Sequence, residues 1–94
     1  MPEDKGSTGA MDAYLGRVRA LFIAVKETVP AEQLTQAHSW IEHGEPAEGM
    51  LYLAWAITSG DHRVPRWVVD GIRESTAALV PPEQLPADLD EHIG

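Results

Sequence analysis

Glu45-Pro46-Ala47-Glu48-Gly49-Met50-Leu51-Tyr52-Leu53-Ala54-Trp55-Ala56-Ile57 is the stretch whose reading decides the fold. Proline suits a first helical position, because the N–H it lacks would be unpaired there. Glu48 in the first turn complements the positive end of the helix dipole. From Met50 onward the segment is apolar almost all round, the pattern of a helix enclosed by its neighbours. A buried strand also produces a short apolar run, but the alanine content and the Glu-Pro start argue for a helix. This third helix is therefore expected at the centre of the fold, with Trp55 in the core.

Upstream, Val29-Pro30-Ala31-Glu32 uses the same start grammar for a second helix. Its narrower apolar stripe is Leu34, Ala37 and Ile41, shared by His38, and Gly44 after His43 is a C-terminal stop. The first helix carries the clearest period. Met11, Tyr14, Leu15, Val18, Leu21, Phe22 and Val25 recur at steps of three and four, which predicts a helix over Ala10 to Thr28. Residues 1–9 hold breakers and no apolar anchor, and read as a disordered leader.

Downstream, Ser59-Gly60-Asp61 breaks the chain and Pro65 opens a fourth helix. Val64, Val68, Ile72, Ser75 and Leu79 trace its inner stripe, and Gly71 and Ala78 are small enough for close approach. Pro81-Pro82 ends it. The phrase at 29–34, Val-Pro-Ala-Glu-Gln-Leu, returns at 80–85 as Val-Pro-Pro-Glu-Gln-Leu, which predicts a short terminal helical turn near 82–90. The expected fold is all-α: an antiparallel four-helix bundle over 10–86 with a short C-terminal helical turn, followed by an acidic tail over 87–94.

Ninety-four residues make room for one domain. The chain has no cysteine, which excludes disulfides, thiolate metal sites and cysteine nucleophiles. Fifteen acidic residues against seven basic ones give a formal charge of −8. That charge disfavours nucleic acid and anionic membranes and steers a basic partner inward; solubility alone is the alternative reading. The first ten residues contain no apolar run of the signal-peptide kind, and no stretch is long enough to span a bilayer, so a cytoplasmic location is expected.

His38 and Glu42 lie one helical turn apart, with His43 beside them and His62 in a loop. A zinc site needs three or four converging ligands, and no His-Glu-x-x-His pattern is present. Ser39, Ser59 and Ser75 have no base at a recognisable spacing. No catalytic, cofactor-binding or metal-ligating residue is therefore expected, and the chain reads as non-enzymatic. Trp40 and Trp67 sit at the flanks of their helical stripes, where they either widen the core or anchor an interface. Near them in sequence lie Glu42, Glu45, Glu48, Asp61, Asp70 and Glu74. An aromatic centre with an acidic rim is what binding a basic protein requires.

Between Val29 and Ile57 the chain resembles small helical bacterial immunity proteins of the MafI and colicin D immunity kind. The resemblance is carried by Val29-Pro30 opening a helix, by Ile41-Glu42-His43-Gly44-Glu45-Pro46, and by Leu53 and Trp55. Gly49 and Leu51 depart from the pattern. The resemblance implies a module that neutralises a co-produced toxin, commonly a nuclease, by covering its active face with an acidic surface. The alternative is a structural or regulatory interaction protein that self-associates through the stripe of the first helix. A monomer or weak dimer is expected in either case.

Overall fold

A computed structural model describes the backbone of residues 2–94 and the side chains of residues 9–94. Four α-helices pack together: α1 (Pro2–Lys26), α2 (Thr35–Glu42), α3 (Pro46–Thr58) and α4 (Arg66–Thr76). Short 3₁₀ turns occupy Ala31–Leu34, Pro82–Gln84 and Leu89–His92. Of the leader expected over 1–9, the side chains and packing of residues 1–8 lie outside the described residues. The helix itself is bounded by Pro2 and Lys26 rather than by Ala10 and Thr28.

Helix α3 is the hub, packing against α1, α2, α4 and the last 3₁₀ turn. Pro46 takes its first turn and Glu45 is its N-cap, as the Glu-Pro start requires. Met50, Leu53, Ala54 and Ile57 are fully buried. Around them close Val18, Leu21 and Val25 of α1, Ala37 and Ile41 of α2, and Val68, Val69 and Ile72 of α4.

The expected all-round enclosure of α3 is corrected on one side. Trp55 is 49% exposed and Tyr52 36%. At 100° per residue they lie about 140° and about 200° round the helix from Met50, opposite the stripe that Met50, Leu53, Ala54 and Ile57 share. Trp55 is thus not core. Its indole N–H donates to the Gln84 carbonyl at 2.9 Å and fastens the Pro82–Gln84 turn to the outside of α3.

Two other stripe positions are corrected. Leu79 is 65% exposed, and Val80 is buried in its place. Helix α4 stops at Thr76, whose hydroxyl donates to the Ile72 carbonyl at 2.9 Å. Val80 precedes Pro81, which disfavours helical backbone there, so the chain turns and a different side chain faces inward. Met11 is 55% exposed, and among the described residues of α1 none before Val18 is buried. The second helix likewise begins as a 3₁₀ turn and becomes α-helical only at Thr35.

The stretch 87–94, expected as an acidic tail, is tied into the domain. Leu89 is fully buried, and Val64 donates to the His92 carbonyl while Gly94 donates to the Val64 carbonyl, at 2.9 and 3.1 Å. Arg73 pairs with Asp90 at 3.0 Å, and Arg63 reaches the Glu91 carbonyl.

Glycine permits a close helix approach at position 49. A Cβ on Gly49 would stand 2.6 Å from Ile41 Cγ1 and 3.0 Å from the Ala37 carbonyl oxygen, so α2 and α3 meet where no larger residue fits. Gly16, in α1, faces open space. Gly16→Ala should stabilise the fold by about 0.5–1 kcal/mol through helix propensity. Gly49→Ala should destabilise it by roughly 1–2 kcal/mol, because overpacking against the Ile41 Cγ1 methylene and a backbone oxygen outweighs the same propensity gain. Urea unfolding midpoints of the two variants should move in opposite directions.

Candidate functional site

The turn between α2 and α3 builds the site. Gly44 has φ +82°, a left-handed conformation that suits glycine. Its N–H donates to the Ile41 carbonyl at 3.3 Å, and the Glu45 N–H donates to the Trp40 carbonyl at 2.8 Å. This is the paired closure of a Schellman motif, and it satisfies two of the otherwise orphaned carbonyls at the end of α2. Pro46 then starts α3 at once, so the two helices form a tight hairpin.

That hairpin places Trp40 of α2 beside Tyr52 of α3, with ring centroids 6.0 Å apart and planes inclined by 13°. Trp40 is half-buried, and its free side borders an open groove of about 840 Å³. Met11, Tyr14 and Leu15 of α1 form one wall, the Gly44–Glu48 turn another, and Leu79, Val80 and Pro81 the third. Glu45 is exposed and Glu48 partly so. Among the described residues, no Ser, Thr or His lines this groove. Its chemistry is apolar surface with two carboxylates at the edge, suited to an apolar side chain flanked by a cation.

Tyr14 supports the groove from below. Its hydroxyl donates to the Ser75 carbonyl at 3.0 Å, one of the carbonyls left without an intrahelical partner at the end of α4. Burial pushes the phenol above its ordinary 10.0, partly offset by the Arg17 guanidinium 6.0 Å from the ring.

The other residues expected at the site fall elsewhere. Trp67, 54% exposed, lies with Asp70 and Glu74 on a separate cleft between α1 and α4. Its exposure removes the reading in which Trp67 widens the core. Glu42 stands on α2 and faces His38, Nε2 to carboxylate 3.6 Å, with both side chains more than half exposed. His38 is therefore not a packed stripe residue; its ring lies at the surface, 5.5 Å from that of Phe22. Asp61 is in the loop after α3, 3.5 Å from Arg63. The structure thus brings Trp40, Glu45 and Glu48 together, and separately Trp67, Asp70 and Glu74.

Sequence reasoning did not assign Met11, Tyr52, Leu79 or Gln84 to a site. Tyr52 carried no clear signal, because its segment is apolar almost all round. Met11 and Leu79 carried none, because both fit the helical period of their own segments.

Among the described residues, no group of three or more His, Asp or Glu side chains is placed to hold a metal ion. No helix among them is long and apolar enough to cross a membrane. No protein-family model, curated protein or solved structure matches the chain.

The raised Tyr14 value sets the sign of one pH effect. The unfolded chain loses this proton near 10.0 while the folded chain still holds it, so the folded state binds more protons above that pH. The contribution of Tyr14 is fully present below pH 10.0 and is lost as the pH rises through the higher folded-state value. Tyr14→Phe should cost about 0.5–1.5 kcal/mol at neutral pH through the lost hydrogen bond. It should also flatten the fall in stability above pH 10.0, as measured by urea unfolding at a series of alkaline pH values.

Proposed function

We propose that this chain is a non-enzymatic protein-binding module that presents the groove at the Gly44-Glu45-Pro46 turn to a basic partner. The observation that carries the reading is the convergence of Trp40, Glu45 and Glu48 on one open, largely apolar groove. Aromatic anchors beside a charged rim are where binding energy concentrates in protein interfaces. A formal charge of −8 adds long-range attraction for a basic surface and speeds encounter with it.

The resemblance of Val29–Ile57 to immunity proteins supplies the class of partner, a toxin neutralised by an acidic cover. In this reading the four helices form an antiparallel bundle whose hairpin turn is the contact edge, and the module works in the cytoplasm as a monomer or weak dimer. Enzymatic action fits the groove poorly. Among the described residues its polar lining is two carboxylates, an amide, an indole N–H and a phenol already donating to a backbone carbonyl, with no nucleophile–base pair.

The test is binding to the product of the adjacent reading frame, measured by calorimetry at low and moderate salt. Glu45→Lys combined with Glu48→Lys should weaken binding at least about tenfold, chiefly through slower association at low salt. Trp40→Ala should weaken it by a similar factor, chiefly through faster dissociation. Absence of binding, or affinity indifferent to both changes, would sink the proposal.

A further inference from the structure

The composition of the groove at the Gly44 turn narrows its occupant beyond the sign of its charge. Trp40 stacks one side on Tyr52, with planes inclined by 13°, and its free side borders the groove. Glu48 stands one helical turn before Tyr52 on α3, so it shares a face with the ring that backs Trp40. Glu45 is tied to Trp40 through the 2.8 Å backbone hydrogen bond that closes α2. Two carboxylates therefore flank one indole.

Among the described residues no cation lines this groove, and neither Glu45 nor Glu48 forms an ion pair. Arg17, whose guanidinium lies 6.0 Å from the Tyr14 ring, lines the cleft between α1 and α4 instead. Much of the remaining lining is apolar, and it includes the exposed side chains of Met11 and Leu79 together with Leu15.

The geometry points to an arginine of the partner as the residue this groove selects, its guanidinium stacked on Trp40 between Glu45 and Glu48 while a neighbouring apolar side chain rests on Met11, Leu15 and Leu79. The inference rests on the reading of the groove as a docking site for a basic protein, and names the side chain it prefers. An indole face attracts a cation, and a planar guanidinium stacks there with less loss of hydration than an ammonium. Two carboxylates suit a group that offers five donors in a fixed fork, whereas lysine meets them as a point charge. Tyr52 and the Gly44 closure hold the indole in place beforehand, so little order is lost on binding. An apolar segment without a cation would desolvate the carboxylates and leave them unpaired.

Titration of the whole chain with acetyl-arginyl-leucine amide and with acetyl-lysyl-leucine amide tests this without the protein partner. The readout is the indole N–H signal of Trp40 in heteronuclear NMR, with that of Trp67 as internal control. The arginyl peptide should shift Trp40 with a Kd on the order of 1–10 mM, as suits so small a ligand, and leave Trp67 unmoved. The lysyl peptide should bind at least about threefold more weakly. Trp40→Leu should remove that preference. Glu45→Gln with Glu48→Gln should weaken both peptides at least about threefold and leave the unfolding midpoint nearly unchanged. Equal affinity for the two peptides, a Trp40 signal that stays still, or a double glutamine variant that binds as well as the parent overturns the inference. A protein partner that still responds to Glu45→Lys with Glu48→Lys, beside a groove with no preference for arginine, separates that failure from failure of the broader reading.

Discussion

The close contact between α2 and α3 at Gly49 is the constraint from which the rest of the structure follows. Ile41 and the Ala37 carbonyl occupy the space that any side chain at position 49 would need. With the helices this near, Ile41 and Ala37 seal one flank of α3, and Met50, Leu53 and Ile57 lose all contact with water. The same approach explains why the hairpin turn is so short. Gly44 ends α2 in a left-handed conformation and Pro46 begins α3 two residues later, with no slack between them. Trp40 and Tyr52 stack because the two helices have no freedom to separate.

Helices α1 and α4 pack on this hairpin through the apolar core, and a few polar contacts outside it tie the elements together. Tyr14 ties α1 to the end of α4, and Trp55 ties the Pro82–Gln84 turn to α3. The last residues return across the Val64 backbone and bury Leu89 against the hub. Each of these contacts uses a residue with an apolar body and a polar tip, or a backbone group that the helices leave unpaired. They are also what gives the groove its walls. Without the path of the chain through Leu79, Val80 and Pro81, the Gly44 turn would stand open on one side.

The distribution of charge gives the two exposed tryptophan regions different characters. Trp40 is bordered by Glu45 and Glu48 at the edge of the groove, and Trp67 is bordered by both signs on the α1–α4 face. A one-signed rim discriminates between partners through repulsion as well as attraction.

Helix existence and punctuation were legible in the residues. The three-and-four spacing from Val18 to Val25, the Glu45-Pro46 start and the Gly44 stop all reflect local backbone physics, which acts over one or two turns. Which side of α3 is buried was not readable, because its residues are apolar almost all round and Trp55 was expected in the core, whereas packing turns Trp55 and Tyr52 outward. The exposure of Met11, His38 and Leu79 was not readable, since each fits its own helix's apolar period. Whether such a residue is buried depends on whether another segment arrives to cover it. By itself the sequence determined the helical segments, their breaks and the acidity of the Gly44 turn. Only the tertiary structure decided that Glu45 and Glu48 share a groove with Trp40 while Asp70 and Glu74 stand apart with Trp67, because grouping of distant residues is set by how helices pack, and packing is a long-range property.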